Sequence, residues 1–340
     1  MVTEGLLERL WYGRHPARWL LAPPAAAFCA GVWLRRRILR AGRDPRRRFT
    51  VPVVVVGNLT VGGAGKTPLV LALVSGLRGR GWHPGVVARG YGGRRTADPM
   101  RVDAASAPAE AGDEPVLVAW RGGCPVVVGR DRNAAVELLL AAHPGCDLVI
   151  SDDGLQHYRM FRDLEIVVVD ARRGFGNGWC LPAGPLRESP ARLRDADRVV
   201  MQGEGEGIPG LRADARVRFA PGTPYNLLDP SLRRPLAGFA SEPVVAVAGI
   251  GDPLRFFADL RNAGLTVETR AFPDHHPFRP RDLAFAGERV VLMTEKDAVK
   301  VRAFARRNHW AVPLEVDLGE EFLDEVDRLL RHETYPVEKL

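Results

Sequence analysis

Residues 51–68 read Val-Pro-Val-Val-Val-Val-Gly-Asn-Leu-Thr-Val-Gly-Gly-Ala-Gly-Lys-Thr-Pro. The apolar run Val51–Val56, β-branched at every position but Pro52, has the pattern of a parallel strand covered on both faces. Leu69 to Arg78 then has helical spacing. Strand, glycine loop and helix start together aim backbone N–H groups and a positive helix end at phosphates, with Lys66 reaching the β and γ groups and Thr67 coordinating magnesium. Asn58, Thr60, Gly62, Gly63, Ala64, Gly65 and Pro68 make up the rest of the candidate binding loop. One position departs from G-x-x-x-x-G-K-[ST]: Thr60 stands where the first glycine belongs, and Gly62 and Gly63 supply the flexibility. The chain is expected to bind a nucleoside triphosphate.

A second strand, Asp147–Ser151, delivers Asp152-Asp153-Gly154-Leu155-Gln156-His157. An acidic pair at the carboxyl end of a parallel strand is where a P-loop enzyme holds magnesium or orients an attacking group; taken alone it is also a turn sequence. Four further polar clusters fall in predicted loops: Arg89-Gly90-Tyr91-Gly92-Gly93, Gly112-Asp113-Glu114-Pro115, Gly129-Arg130-Asp131-Arg132 and Gly184-Pro185-Leu186-Arg187-Glu188. Each by itself is more often a solvated turn than a site.

Val167–Asp170 and Val199–Met201 extend the first sheet, and the Gly-, Pro- and Arg-rich stretch 203–240 marks a boundary. Beyond it, Val244–Pro253 reads as strand and glycine turn, Leu254–Ala263 as helix, Val290–Thr294 as a later strand and Glu320–Leu330 as an amphipathic helix. The spacing Gly249-x-Gly251 is too thin for a dinucleotide site and suits strand-to-helix packing. Asp274-His275-His276 falls in a loop, where a histidine beside a carboxylate serves as a general base or its partner, or is merely solvated. The expected division is an N-terminal segment 1–48, a core 49–220 and a smaller α/β domain 221–340.

The chain of 340 residues carries a formal charge of +7, and its basic residues are arginine apart from Lys66, Lys296, Lys300 and Lys339. So broad an arginine bias is weak evidence for nucleic-acid binding, and no nucleic-acid or obligate protein partner is expected. Cys29, Cys124, Cys146 and Cys180 form no C-x-x-C pair, so neither a metal site nor a disulfide framework is expected.

Charge does concentrate at one end. Residues 1–48 hold eleven arginines against Glu4, Glu8 and Asp44. Within them the sixteen apolar residues Trp19–Leu34, flanked by Arg14, Arg18 and Arg35-Arg36-Arg37, fall short of the roughly 20 that span a bilayer. The Pro23-Pro24 pair is expected to break or kink a helix there. Basic flanks with Trp11, Tyr12, Trp19 and Trp33 suit a segment lying in the headgroup layer of an anionic membrane. A signal peptide, a helical hairpin on the core and a true span are the competing readings.

The motifs together, in order along nearly the whole chain, resemble the lipid A tetraacyldisaccharide 4′-kinase family: Gly57-Asn58-x4-Gly63-x-Gly65-Lys66-Thr67-Pro68, Arg89-Gly90-Tyr91-Gly92, Gly112-Asp113-Glu114-Pro115, Asp152-Asp153-Gly154-Leu155-Gln156-His157, Gly184-Pro185-Leu186-Arg187-Glu188, Asp274-His275 and Thr294-Glu-Lys296-Asp297. The resemblance implies an α/β P-loop NTPase (RecA-like) parallel-sheet core, a second, smaller α/β domain, and an N-terminal helix on the cytoplasmic face of the bacterial inner membrane. It implies ATP- and Mg2+-dependent phosphorylation of the 4′-hydroxyl of a tetraacylated disaccharide 1-phosphate, the lipid A precursor. By resemblance, Asp113 and His275 form a catalytic dyad with Asp113 the base, and Asp152 and Asp153 serve the metal and the transferring phosphoryl group. Thr67, Asp152, Asp153 and Glu188 are the implied metal residues, and Gln156 joins the nucleotide site. Arg89, Tyr91 and Arg132 are taken as substrate contacts, the arginines for the 1-phosphate. The alternatives are a soluble P-loop synthetase or carboxylase, and a nucleotide-driven regulatory switch.

Overall fold

The computed structural model describes residues 2–13, 15–40, 48–63, 65–94, 98–203, 205 and 207–333. Arg14 and Ala64, singled out above, lie outside the described residues, as do 41–47 of the basic segment. Two helices, α1 (Val2–Tyr12) and α2 (Ala22–Arg40), precede the first strand.

The valine run becomes β1 (Val53–Gly57), in the middle of an eight-stranded sheet with β2 (Pro84–Ala88), β3 (Met100–Val102), β4 (Val126–Val128), β5 (Leu148–Asp152), β6 (Leu164–Asp170), β7 (Arg198–Gln202) and β8 (Ala215–Val217). The order is β3-β4-β2-β5-β1-β6-β7-β8, parallel throughout except between β3 and β4. Val54 and Val56 face one apolar core and Val53 and Val55 another, all fully buried, so no polar residue interrupts the run. On the first of those faces lie α3 (Lys66–Arg78) and, after the short turn α4 (Pro108–Ala111), α5 (Asp113–Gly122); α6 (Arg132–Ala142) covers the other.

The remaining strands are β9 (Phe219–Pro221), β10 (Tyr225–Asn226), β11 (Val244–Ala248), β12 (Val267–Ala271), β13 (Val290–Thr294), β14 (His309–Val312) and β15 (Leu314–Val316). Five form a second sheet in the order β10-β14-β13-β11-β12, parallel but for β10, while β9 and β15 pair antiparallel as a separate ribbon. Its helices are α7 (Pro253–Asn262), α8 (Pro280–Leu283) and α9 (Glu295–Val301), and α10 (Glu320–Glu333) ends the fold.

The packing does not follow the expected division at residue 220. Helix α10 crosses back onto α3, where Phe322, Leu323, Val326 and Leu330 join the core of the first sheet, and Val299 of α9 joins it too. An amphipathic helix at the chain end needs an apolar face to cover, and the outer side of α3 offers one.

The N-terminal segment also differs from expectation in one respect. Ala22 opens α2, so Pro23-Pro24 sits in the first helical turn, where an absent N–H costs no hydrogen bond; the pair starts the helix instead of breaking it. The segment is pinned to the loops before β7. Trp11 Nε1 donates to the Pro182 carbonyl at 3.0 Å, the Asn177 N–H donates to the Trp11 carbonyl at 2.7 Å, Trp19 meets Trp179 edge-on, and Arg36 pairs with Asp195. Trp19, Leu20, Trp33 and Leu34 nevertheless remain more than half exposed. Among the described residues no helix is long and apolar enough to cross a membrane.

Both sheets turn strand ends toward one cleft. The loops leaving β1, β2 and β5 and those leaving β12 and β13 at their carboxyl ends come together there, the usual place for a ligand in open α/β sheets.

Because Phe322 is buried in the first core, Phe322→Ala is expected to cost about 3–5 kcal/mol in denaturant unfolding. An unchanged transition midpoint would show that α10 is not part of that core.

Candidate active site

The loop after β1 is shaped by two glycines with left-handed backbone, Gly62 at φ 108° and Gly65 at φ 70°. Gly65 caps α3, and a Cβ there would collide with the Phe219 ring. The loop is stitched to the segment 185–187: the Val61 N–H donates to the Pro185 carbonyl at 2.8 Å and the Arg187 N–H to the Leu59 carbonyl at 2.7 Å, with a bridge between Thr60 and Leu186. That pairing accounts for the Thr60 departure. Residue 60 is in extended pairing with negative φ, so the left-handed freedom of glycine is not needed.

At the helix start, Lys66 Nζ stands 3.1 Å from Asn58 Oδ1 and 3.5 Å from Asp153 Oδ1, and the Thr67 hydroxyl donates to Asp152 Oδ2 at 3.2 Å. The two adjacent aspartates are driven apart electrostatically. Burial foremost, then the charge of Glu114, pushes Asp152 up to about 7. Asp153, with φ at 50°, is also raised by burial, but Lys66 and Arg187 outweigh it and hold the carboxyl below its usual range. Arg187 Nη1 reaches both Asp153 oxygens at 2.9 and 3.0 Å and Gln156 Oε1 at 3.2 Å.

Behind this layer, Gln156 Nε2 donates to the Asn58 carbonyl and to Glu188 Oε1, each at 3.2 Å, and Tyr158 donates to the other Glu188 oxygen. Both Glu188 oxygens are thus engaged, one layer out from the aspartate pair. Asp152 Oδ1 is buried without a hydrogen-bond partner, beside the Thr67 hydroxyl. Hard oxygen donors around an uncompensated carboxylate fit magnesium, which keeps water and phosphate ligands and needs few from protein. Among the described residues no group of three or more His, Cys, Asp or Glu is gathered so as to hold a metal ion.

The second cluster joins the two sheets. Gly112 at φ 92° opens α5, and a Cβ there would press on the Tyr91 carbonyl. Asp113 follows, buried, with His275 Nδ1 at 3.1 and 3.0 Å from its two oxygens although 162 positions separate them. His275 itself has φ at 58°; Asp153 and His275 are the positive-φ residues other than glycine among those described. Lys300 Nζ lies 3.7 Å from Asp113 Oδ2. Burial would raise Asp113, yet its hydrogen bond from His275 and the charges of Lys296, His275 and Lys300 bring it below the ordinary value. His275 is raised in return, first by the hydrogen bond to Asp113.

Around this pair Lys296 Nζ approaches His275 Nε2 at 3.2 Å, Glu114 Oε1 at 3.1 Å and Asp274 Oδ1 at 3.4 Å. Tyr91, 69% exposed, sets its ring edge-on to His275 at 5.7 Å, a wall beside the dyad. Arg89 is exposed in the same glycine-rich loop. Arg132 is buried at the start of α6, donating to the Gly129 carbonyl and standing near His157, which burial and then Arg132 push down to about 4. The structure therefore brings Asp113, His275 and Tyr91 together, gathers Lys66, Thr67, Asp152, Asp153 and Arg187 beside the loop, and sets Arg132 apart with His157.

Glu114, Arg187, Asp274, Lys296 and Lys300 complete the site without having been assigned roles from sequence. Lysine itself was the available signal: in a chain whose 48 basic residues include only four lysines, Lys66, Lys296 and Lys300 all fall here.

The family model described as Tetraacyldisaccharide-1-P 4'-kinase matches residues 17–331. The chain is 48% identical over 332 residues to the tetraacyldisaccharide 4'-kinase of Nitrosococcus oceani, covering 96% of this chain and 95% of that protein. It is 51% identical over 317 residues to the enzyme of the same name from Halorhodospira halophila, covering 93% of each. Among solved structures it is similar to "apo" form LpxK from Aquifex aeolicus in complex with ATP, with a TM-score of 0.79 and 28% identity over 94% of this chain and 99% of that one.

A methyl group at Gly65 meets both a disfavoured φ and the Phe219 ring. Gly65→Ala is therefore expected to abolish triphosphate binding in titration calorimetry while leaving the second sheet folded, and binding at the parental affinity would refute this account of the loop.

Proposed function

The chain belongs to the tetraacyldisaccharide-1-P 4′-kinase family, and on that premise we propose how its residues divide the work of ATP-dependent phosphorylation of the lipid A precursor. The enzyme transfers the γ-phosphoryl group of ATP to the 4′-hydroxyl of the tetraacyldisaccharide 1-phosphate, using magnesium. The contact that carries the assignment is Asp113 to His275, made next to Glu114, whose charge is felt at Asp152. Base and phosphate-binding carboxylates thus share one cleft.

The N–H groups at the start of α3 and the Lys66 ammonium cradle the β- and γ-phosphates, moving Lys66 off Asn58 and Asp153. Thr67 and Asp152 would hold the metal, with Asp153 beside them and Glu188 behind, bonded through Gln156. When bound, magnesium neutralises charge developing on the phosphoryl oxygens. Asp113 accepts the proton of the sugar hydroxyl as its oxygen attacks, and His275 orients that carboxylate. Catalysis is otherwise positioning and charge neutralisation, the general pattern for phosphoryl transfer. Tyr91 and Arg89 line the sugar side, whereas Arg132, expected from sequence to meet the 1-phosphate, is buried against the Gly129 carbonyl and His157 and is given no substrate role.

The acceptor is a lipid, and the exposed face of Trp19, Leu20, Trp33 and Leu34 beside the exposed Arg35 and Arg37 supports docking on an anionic membrane surface, at the cytoplasmic side of the inner membrane. The synthetase and switch alternatives gain no support from any contact at the site.

Purified protein incubated with ATP, magnesium and the disaccharide 1-phosphate in detergent is expected to yield the 4′-phosphorylated product; its absence would overturn the assignment. Asp113→Ala is expected to lower kcat by about 10²–10⁴-fold with little change in KM for ATP. Replacing Trp19 and Trp33 together by Ala is expected to weaken cosedimentation with anionic vesicles, while ATP binding stays at the parental level.

A further inference from the structure

The dyad has a third member on its far side. An ammonium group carries donors and no acceptor, so at 3.2 Å from His275 Nε2 the Lys296 Nζ can make a hydrogen bond only if Nε2 is unprotonated. The imidazole proton then resides on Nδ1, the nitrogen that faces both oxygens of Asp113. Lys296 is not free to turn away, because Glu114 on α5 and Asp274 beside His275 hold it at 3.1 and 3.4 Å. Its side chain is largely buried within that ring of acceptors.

We propose that Lys296 is a positioning residue of the kinase: held between Glu114 and Asp274, it donates to His275 Nε2 and locks the imidazole in the neutral Nδ1–H form that presents its proton to Asp113. The consequence is mechanical as well as electronic. Glu114 and Asp113 are consecutive on α5, whereas Lys296 and His275 belong to the second sheet. Two adjacent contacts, Asp113 to His275 and Glu114 to Lys296, therefore close a four-residue ring across the cleft, and the correct tautomer forms where the two sheets meet. Without Lys296, a proton on Nε2 would be tolerated, and a doubly protonated imidazolium would bind Asp113 as an ion pair and weaken it as a base.

Every charged or titratable group facing His275 enters this balance. Asp113 and Asp274 favour a second proton on the ring, Lys296 opposes it, burial opposes it, Tyr91 offers only a ring edge, and Lys300 acts through Asp113. Lys296 is itself raised above the ordinary lysine value: burial would lower it, but Glu114, Asp113 and Asp274 prevail, so it stays an ammonium across the working range. Removing it subtracts a positive charge beside Nε2, which lets His275 keep its second proton to higher pH.

The inference rests on the dyad reading above, and the test separates the two. In the full-length protein with magnesium, ATP and the disaccharide 1-phosphate, Lys296→Met is expected to lower kcat roughly 10–100-fold, with KM for ATP unchanged, and to move the acid limb of the kcat profile up by about one pH unit. Lys296→Arg keeps the charge and is expected to keep the acid limb in place. Imidazole 15N shifts are expected to show Nδ1–H at His275 in the parent and a mixture in Lys296→Met. A parental acid limb in Lys296→Met, or Nε2–H in the parent, would overturn the inference while the dyad stands, provided Asp113→Ala is inactive. An active Asp113→Ala would overturn the dyad and the inference with it. Should Lys296→Met fail to fold, the 15N measurement on the parent protein decides the inference by itself, Nδ1–H supporting it and Nε2–H overturning it.

Discussion

A carboxylate on the first turn of α5 and an imidazole on the loop after β12 meet at 3.0 Å, and the contact exists only while the two sheets keep their places. The seam that keeps them there is apolar and polar at once. Val299 of α9 is packed into the first core and Trp120 of α5 against the second. Below them Arg121 pairs with the buried Glu295 at 3.1 Å, and Tyr225 donates to the same carboxylate at 2.7 Å. A buried carboxylate left without such partners would cost more than its pairing gains, so the seam is intolerant of partial opening. Asp113 stands at the start of α5, and α9 reaches the pair through Lys296 at His275 and Lys300 at Asp113.

Strain and unbalanced charge gather at the same place. Asp153 and His275 both hold left-handed backbone, which costs a non-glycine residue on the order of 1 kcal/mol or more and persists only where surrounding contacts over-determine it. For Asp153 those contacts are Lys66 and Arg187; for His275 they are Asp113 and Lys296. Asp152 is the exception: buried, repelled by Glu114 and Asp153, and with one oxygen unpartnered. The neighbouring aspartates are thus sequential in the chain but opposite in surroundings, one held by Lys66 and Arg187 and one buried with an oxygen that has no hydrogen-bond partner.

Much of this was legible in the residues. A glycine loop after a valine strand is a local feature, and local features survive the absence of structure: the strand, the helix start and the acidic pair were readable because each depends on neighbours within a few positions. The Asp113–His275 contact was not, because 162 positions separate its members and no spacing rule spans two sheets; it was named through resemblance alone. The Pro23-Pro24 pair misled because proline breaks a helix interior but suits a first turn, and which of the two applied depended on where α2 began. The return of α10 to the first core was invisible for a related reason. Its amphipathic pattern announces that one face is covered, without saying by what.

The lysines show how composition and geometry can be read against each other. Arginine is the default cation of this chain, so a lysine retained at a partly buried site marks a place where a planar fork does not serve. At residue 66 the reason is reach: a compact point charge on a flexible stem can leave Asn58 and Asp153 for a phosphate. At residue 296 the reason is the arrangement of acceptors, since Glu114 on α5 and Asp274 and His275 on the loop after β12 surround one nitrogen from two different segments. Three donors diverging from a single atom match that arrangement, whereas the guanidinium donors of arginine lie in one plane on separate nitrogens. At residue 300 the ammonium bridges Asp297 and Asp113, tying the start of α9 to the start of α5. In each case one nitrogen meets acceptors from more than one segment, which a compact ammonium does and a planar fork does less well.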